Sequence, residues 1–151
     1  KRSLIGEVIR RFENVGLKVV GSKMVWIDEN LGRNHYDTIG QVGIRRGGAV
    51  LKNLLKFMQS GPVVAICLEG VNTVENLKKI VGTTEPKGAA PGTIRGDFAH
   101  MSYEYSDKQG KAIENLIHAS SNIDEAKLEI ALWFKPEELH TYKTVHEVHV
   151  F

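Results

Sequence analysis

A chain of 151 residues, 42% hydrophobic and 25% charged, is long enough for one packed core and short for two, so residues 1–151 are expected to form a single domain. A formal net charge of only +2 excludes the broad basic surface that nonspecific nucleic-acid binding needs, and no apolar run reaches the roughly 18 residues of a membrane span. The single cysteine, Cys67, has no partner within the chain, which excludes an internal disulfide and points to a reducing, cytoplasmic setting.

The first element is a helix: Leu4, Ile5, Val8, Ile9, Phe12 and Val15 recur at helical spacing, with Glu7, Arg10, Arg11 and Glu13 on the opposite side and Gly16 as a stop. Residues 17–27, LKVVGSKMVWI, are β-branched and partly alternating, which predicts a strand. A glycine-bearing polar stretch follows, expected to hold a short helix and a loop, before Val50, Leu51, Leu54, Leu55 and Met58 restore the helical stripe up to the Ser-Gly-Pro break at 60–62. VVAICLEG is nearly all apolar, as suits a strand buried on both faces. Val74, Leu77, Ile80 and Val81 mark another helix, closed by Gly82. The stretch GTTEPKGAAPGTIRGD then carries no regular pattern, and a long loop of this kind inside a small domain is usually functional. FAHMSYEY reads as a strand, and SDKQGKAIEN as a polar insertion or short helix. Ile123, Ala126, Ile130 and Phe134 form the last helical stripe, with Asn122 and Glu125 spaced as a capping box. Short strands separated by helices, with no internal repeat, fit an α+β sandwich in which helices cover a small antiparallel sheet.

His118 stands out for its position just ahead of that last helix. Unpaired N–H groups and the helix dipole there favour an anion beside the imidazole and disfavour the imidazolium form. A neutral imidazole is a nucleophile, and a phosphoryl group is an anion it can accept. The second ring nitrogen then needs an acceptor, and Glu129, two turns into the helix, is a candidate. A lone histidine also reads as an ordinary structural or surface residue. The pair in HEVHV, residues 146–150, lacks a third ligand, so no metal site is expected there.

The segments SGPVVAICLEG, VGTTEPKGAAPGTIRGDF, NLIHASS and EIALWFKPEEL, in this order and at these distances, resemble the nucleoside diphosphate kinase family over nearly the whole chain. The resemblance implies a ferredoxin-like sandwich and an enzyme that passes a terminal phosphate from a nucleoside triphosphate to a nucleoside diphosphate through a phosphohistidine, with Mg2+ accompanying the nucleotide. It implies a homo-oligomer, hexamer or tetramer, with neither membrane nor specific nucleic acid as partner. Matched by position, His118 is the phosphorylated histidine, Glu129 orients it and Ser120 sits beside it. Asn115 contacts the sugar, Thr84 and Arg95 contact phosphates, and Tyr36 lies near the active histidine. Val50 and Leu54 flank the base.

The match also has departures. Lys78 stands where the family has an arginine on the phosphates, which keeps the charge and loses the bidentate fork. Ala119 and Ser121 replace a glycine and an aspartate, and valine at position 50 offers a base no ring to stack on. The family begins with a strand ending in a catalytic lysine motif, and the chain starts at Lys1 just past it, so such a segment is expected in the natural protein. These departures leave a second reading open, a catalytically weak nucleotide-binding or regulatory module on the same fold. Plain structural roles compete at single positions: Arg95 and Asp97 as an ion pair bracing the loop, Lys78 with Lys79 as a solvated helix face, Thr84 as a turn former and Asn115 as a helix stop.

Overall fold

In the computed structural model, which describes residues 2–145 and 147–150, helix α1 (Ile5–Glu13) forms where the first stripe predicts it. Phe12 is buried on its inner side, while Glu7 bridges Arg10 and Arg11 at 2.9 Å on the outer one. The chain then enters β1 (Lys18–Val25), which pairs antiparallel with β2 (Val63–Glu69) in a register running from Lys18 opposite Glu69 to Val25 opposite Val63. Between the two strands lie α2 (Glu29–Thr38), started by the Asp28 carboxylate accepting from Leu31 N at 2.7 Å, then α3 (Val42–Arg46) and α4 (Gly48–Met58). After β2 come α5 (Thr73–Val81), a 3-10 turn at Pro86–Gly88, α6 (Ile94–Phe98), α7 (Tyr103–Lys108), α8 (Ile123–Trp133), a second 3-10 turn at Pro136–Glu138 and α9 (Glu147–Val150). The architecture is α+β, a small antiparallel sheet covered by helices.

The core that fixes this arrangement joins Phe12 of α1, Leu17, Val81 of α5 and Ile94 of α6, each no more than 5% exposed. Leu68, Leu77, Phe98, Ile117 and Ala119 pack against them. Truncating a buried phenylalanine such as Phe12 costs about 3–5 kcal/mol, a large fraction of a small domain's stability. The same four side chains therefore tie α1, α5, the loop after it and the histidine segment into one body.

Three expectations are corrected. FAHMSYEY, residues 98–105, does not form a strand: Phe98 ends α6, 99–102 are irregular and α7 follows, because Ser102 Oγ caps Tyr105 N at 3.2 Å and the Glu104–Lys108 pair, 2.7 Å, supports one helical turn. The loop after Gly82 is not wholly irregular, since Thr93 accepts from Gly96 N and starts α6. A side chain at position 96 would meet the Ala90 carbonyl oxygen at 2.1 Å, so only glycine lets the loop close there. β2 is not buried on both faces either: Cys67 is its one fully buried residue, and among the described residues β1 is the only strand beside it. Among the described residues no helix is long and apolar enough to cross a membrane. His146, one of the HEVHV pair, lies outside the described residues.

Candidate active site

The histidine segment is held by its neighbours. Ile117 and Ala119 both pack against the core, and the residue between them faces the other way, leaving the His118 side chain 43% exposed. Leu116 takes a left-handed φ of 72°, which turns the chain out of the preceding loop. Asn122 then caps α8 through Glu125 N at 2.8 Å, as its spacing predicts, although the Glu125 carboxylate takes a bond from Ser121 Oγ at 3.4 Å instead of returning to the cap. α8 carries the buried Glu129 toward the imidazole.

His118 Nε2 lies 2.6 Å from Glu129 Oε1, and Ser120 Oγ donates to Oε2 of the same carboxylate. Burial pushes the Glu129 carboxyl up, but the bonds from His118 and Ser120 and the charge interactions with His118 and His35 outweigh it and hold the group below its ordinary value. An ionised carboxylate only accepts, so the proton of a neutral His118 sits on Nε2 and Nδ1 keeps a free lone pair. The family-based assignments of His118, Glu129 and Ser120 thus fall on three residues in direct contact.

Behind the imidazole stands an aromatic wall from α2 and α8. His35, 4% exposed, meets His118 edge to face with ring centroids 5.0 Å apart and planes at 87°. Its Nδ1 accepts from Trp133 Nε1 at 3.3 Å. Tyr36, expected beside the active histidine, is buried against His35 at 5.3 Å, and burial pushes its hydroxyl up to about 12. Neither His35 nor Trp133 was singled out by the sequence reading. The available signals were the adjacency of His35 to Tyr36 and the one-turn spacing of Trp133 from Glu129.

Arg95 comes up beneath the histidine segment from α6 and is 7% exposed. Its Nη1 donates to Gly82 O at 2.9 Å, its Nε to Asn115 O at 3.3 Å and its Nη2 to Ile117 O. The alternative Arg95–Asp97 ion pair does not form: Asp97 pairs instead with Arg11 of α1 at 2.6 Å. Arg95 does brace the loop, but through carbonyls. A guanidinium has five N–H donors, so two remain beyond these three bonds.

The remaining candidate residues are more exposed. Asn115 donates from Nδ2 to Thr84 O at 3.1 Å, which fastens the loop after α5 to the histidine segment, and the Thr84 side chain lies in an exposed residue of that loop. Lys78, exposed on α5, reaches Ser121 O at 3.3 Å. Val50 (38% exposed) and the half-buried Leu54 lie on α4, which Asn53 ties to the turn after α7 through Gly110 O at 3.0 Å. The Ala119 methyl packs on the core. A separate open cleft of about 440 Å3 between α1 and α5 is lined by Arg10, Arg11, Lys79 and Asp97, with Arg11 already committed to Glu7 and Asp97.

Metal-binding potential among the described residues concentrates in His35, His118 and Glu129, whose ligand atoms lie within 4.8 Å of one another. Glu129 is already bonded to His118 and Ser120, and His35 Nδ1 to Trp133, so two of the three candidate ligands are committed to protein partners.

The family model for nucleoside diphosphate kinase matches residues 1–139. A nucleoside diphosphate kinase of Borreliella burgdorferi is 47% identical over 143 residues, covering 95% of this chain and 85% of that protein. One from Pyrococcus horikoshii is 49% identical over 141 residues, covering 93% and 82%. The Borrelia burgdorferi enzyme solved as a transition-state mimic with bound vanadate and ADP superposes with a TM-score of 0.93 at 46% identity, covering 99% of this chain and 88% of that one.

Proposed function

The chain belongs to the nucleoside diphosphate kinase family, whose reaction moves the terminal phosphate of a nucleoside triphosphate to a nucleoside diphosphate, and we propose that it does so through a phosphohistidine at His118. The observation that carries this reading is the 2.6 Å bond from His118 Nε2 to Glu129, which leaves Nδ1 as the free nucleophile on an exposed ring. In the first half-reaction the Nδ1 lone pair forms the N–P bond while the bond from phosphorus to the bridging oxygen breaks and the diphosphate leaves. In the second half-reaction a different diphosphate attacks the same phosphorus and frees the nitrogen. Positive charge that develops on the imidazole is met by Glu129, which Ser120 holds in place. One site serves both halves, so ping-pong kinetics follow.

Arg95, with two donors in reserve, Lys78 and the Thr84 hydroxyl would hold the phosphates, and Asn115 would face the sugar. Val50 and Leu54 would flank the base by apolar contact without stacking. A magnesium ion accompanying the nucleotide would find no free carboxylate at Glu129, committed to His118 and Ser120, nor at Ser121, so the nucleotide's own phosphates would supply most of its ligands. When bound there it offsets charge on the transferring group. A single domain, a homo-oligomer of four or six chains and a cytoplasmic location complete the proposal, the last supported by the single cysteine with no disulfide partner in the chain.

Incubation with γ-labelled ATP tests it. Acid-labile, base-stable label should appear on the protein, leave on addition of GDP, and be absent from His118→Asn. Label that persists in that variant would overturn the assignment.

A further inference from the structure

His35 plays no part in the proposed transfer, yet it is buried directly against the nucleophile. Its tautomer can be read from its partner. An indole N–H only donates, so the 3.3 Å bond from Trp133 Nε1 makes His35 Nδ1 an acceptor and leaves the ring proton on Nε2. The same Nδ1 lies 3.9 Å from Glu129 Oε1. Two acceptors facing each other form no hydrogen bond, so Oε1 has His118 Nε2 as its one imidazole donor. A proton on His35 Nδ1 would create a rival donor for that oxygen. The edge-to-face contact at 5.0 Å meanwhile blocks the His118 ring from turning over, a motion that would exchange its two nitrogens. Burial and the neighbouring His118 together press the His35 pKa down to about 4, against the pull of Glu129, so the ring stays uncharged where the enzyme works. Tyr36, Glu129, His118 and Trp133 are the groups packed around it, from α2, α8 and the histidine segment.

We propose that His35, oriented by Trp133, is a positioning residue for His118: its ring contact and its proton-free Nδ1 keep His118 turned with Nε2 on Glu129 and Nδ1 toward the phosphorus. The proposal rests on the phosphohistidine reading, and the test separates the two.

Two variants of the full chain divide the roles. His35→Phe keeps a ring against His118 and loses the acceptor for Trp133, whereas His35→Asn keeps an acceptor and loses the ring. Rapid-quench phosphorylation by γ-labelled ATP, ATP affinity and 15N NMR of the histidine rings are measured on both and on the unmodified protein. The expected result is phosphorylation slowed about 10–100-fold in His35→Asn, which lacks the ring and carries an N–H that can compete for Glu129, and less in His35→Phe, with ATP affinity within about twofold. His118 is expected to change from a single Nε2–H tautomer to a mixture. Phosphorylation within about twofold of the unmodified rate in both variants, or a His118 that keeps one tautomer in both, overturns the proposal. So does a proton on His35 Nδ1 at neutral pH in the unmodified protein, a measurement that needs no variant to fold. Failure of the unmodified protein to take label at all would instead sink the phosphohistidine reading.

Discussion

The two sides of His118 are built on different physical terms. On the α2–α8 side the carboxylate behind the ring is bonded through both oxygens, His35 Nδ1 is bonded to Trp133, and His35, Tyr36 and Glu129 are each less than 10% exposed. On the side of α5 and the loop after it, Lys78 and Thr84 are exposed, and the bonds there run to backbone carbonyls. A nucleophile needs one orientation held without substrate, whereas the phosphate and base contacts need groups whose remaining donors are free for a ligand. Arg95 belongs to both regimes, with three donors spent on the protein and two left over.

If Arg95 is the seam between the two sides, Arg95→Met should cost about 4 kcal/mol in urea unfolding, since it strands three carbonyls in a buried setting, and activity should fall with it. A loss below about 1 kcal/mol would mean that water replaces those bonds and that Arg95 serves only the ligand. Glu129→Gln tests the closed side: single-turnover phosphorylation should drop about 100-fold while ATP affinity holds, because an amide cannot meet charge developing on the imidazole. Acid titration tests it again. His35 in the unfolded chain takes up a proton below about 6.5, while in the fold it resists until about 4, so stability is lost as pH falls through that window. Urea unfolding at pH 6.5 and 4 should show the native chain losing about 2–3 kcal/mol more than His35→Phe. The smallest effect belongs to the open side: Lys78→Arg should lower the KM for ATP about threefold by restoring a forked contact, with kcat little changed.

The elements with a strong period were readable before the structure. α1, α4, α5 and α8 each carry an apolar stripe, and β1 and β2 carry β-branched runs, because in these segments burial alone selects the residue types. The segment 98–105 resembles a strand because Phe98, Tyr103 and Tyr105 mimic strand composition, whereas a single Ser102 hydroxyl decides for a helix. At the site, resemblance to a family supplied His118, Glu129 and Ser120, and local pattern supplied only the helix start beside them. What no local pattern encodes is pairing across the chain. Arg11 takes Asp97 from 86 positions away, and Trp133 reaches His35 from 98, so the buried wall behind the imidazole became visible only once α2 and α8 were packed together.

The stretch after α8 also returns to the start of β1. His140 N donates to Val20 O at 2.8 Å, Tyr142 OH to Val19 O at 2.7 Å, and Lys18 Nζ reaches Tyr142 O and Glu147. These bonds shield the first half of the strand's outer margin, Lys23 adds a pair to Glu138 at 2.6 Å, and farther along Met24 and Trp26 are more than 60% exposed. Proteolytic trimming behind Leu139 would therefore remove the bonds to Lys18, Val19 and Val20 and widen the open margin, and clumping of the clipped protein, ahead of any loss of phosphate transfer, would be its first symptom.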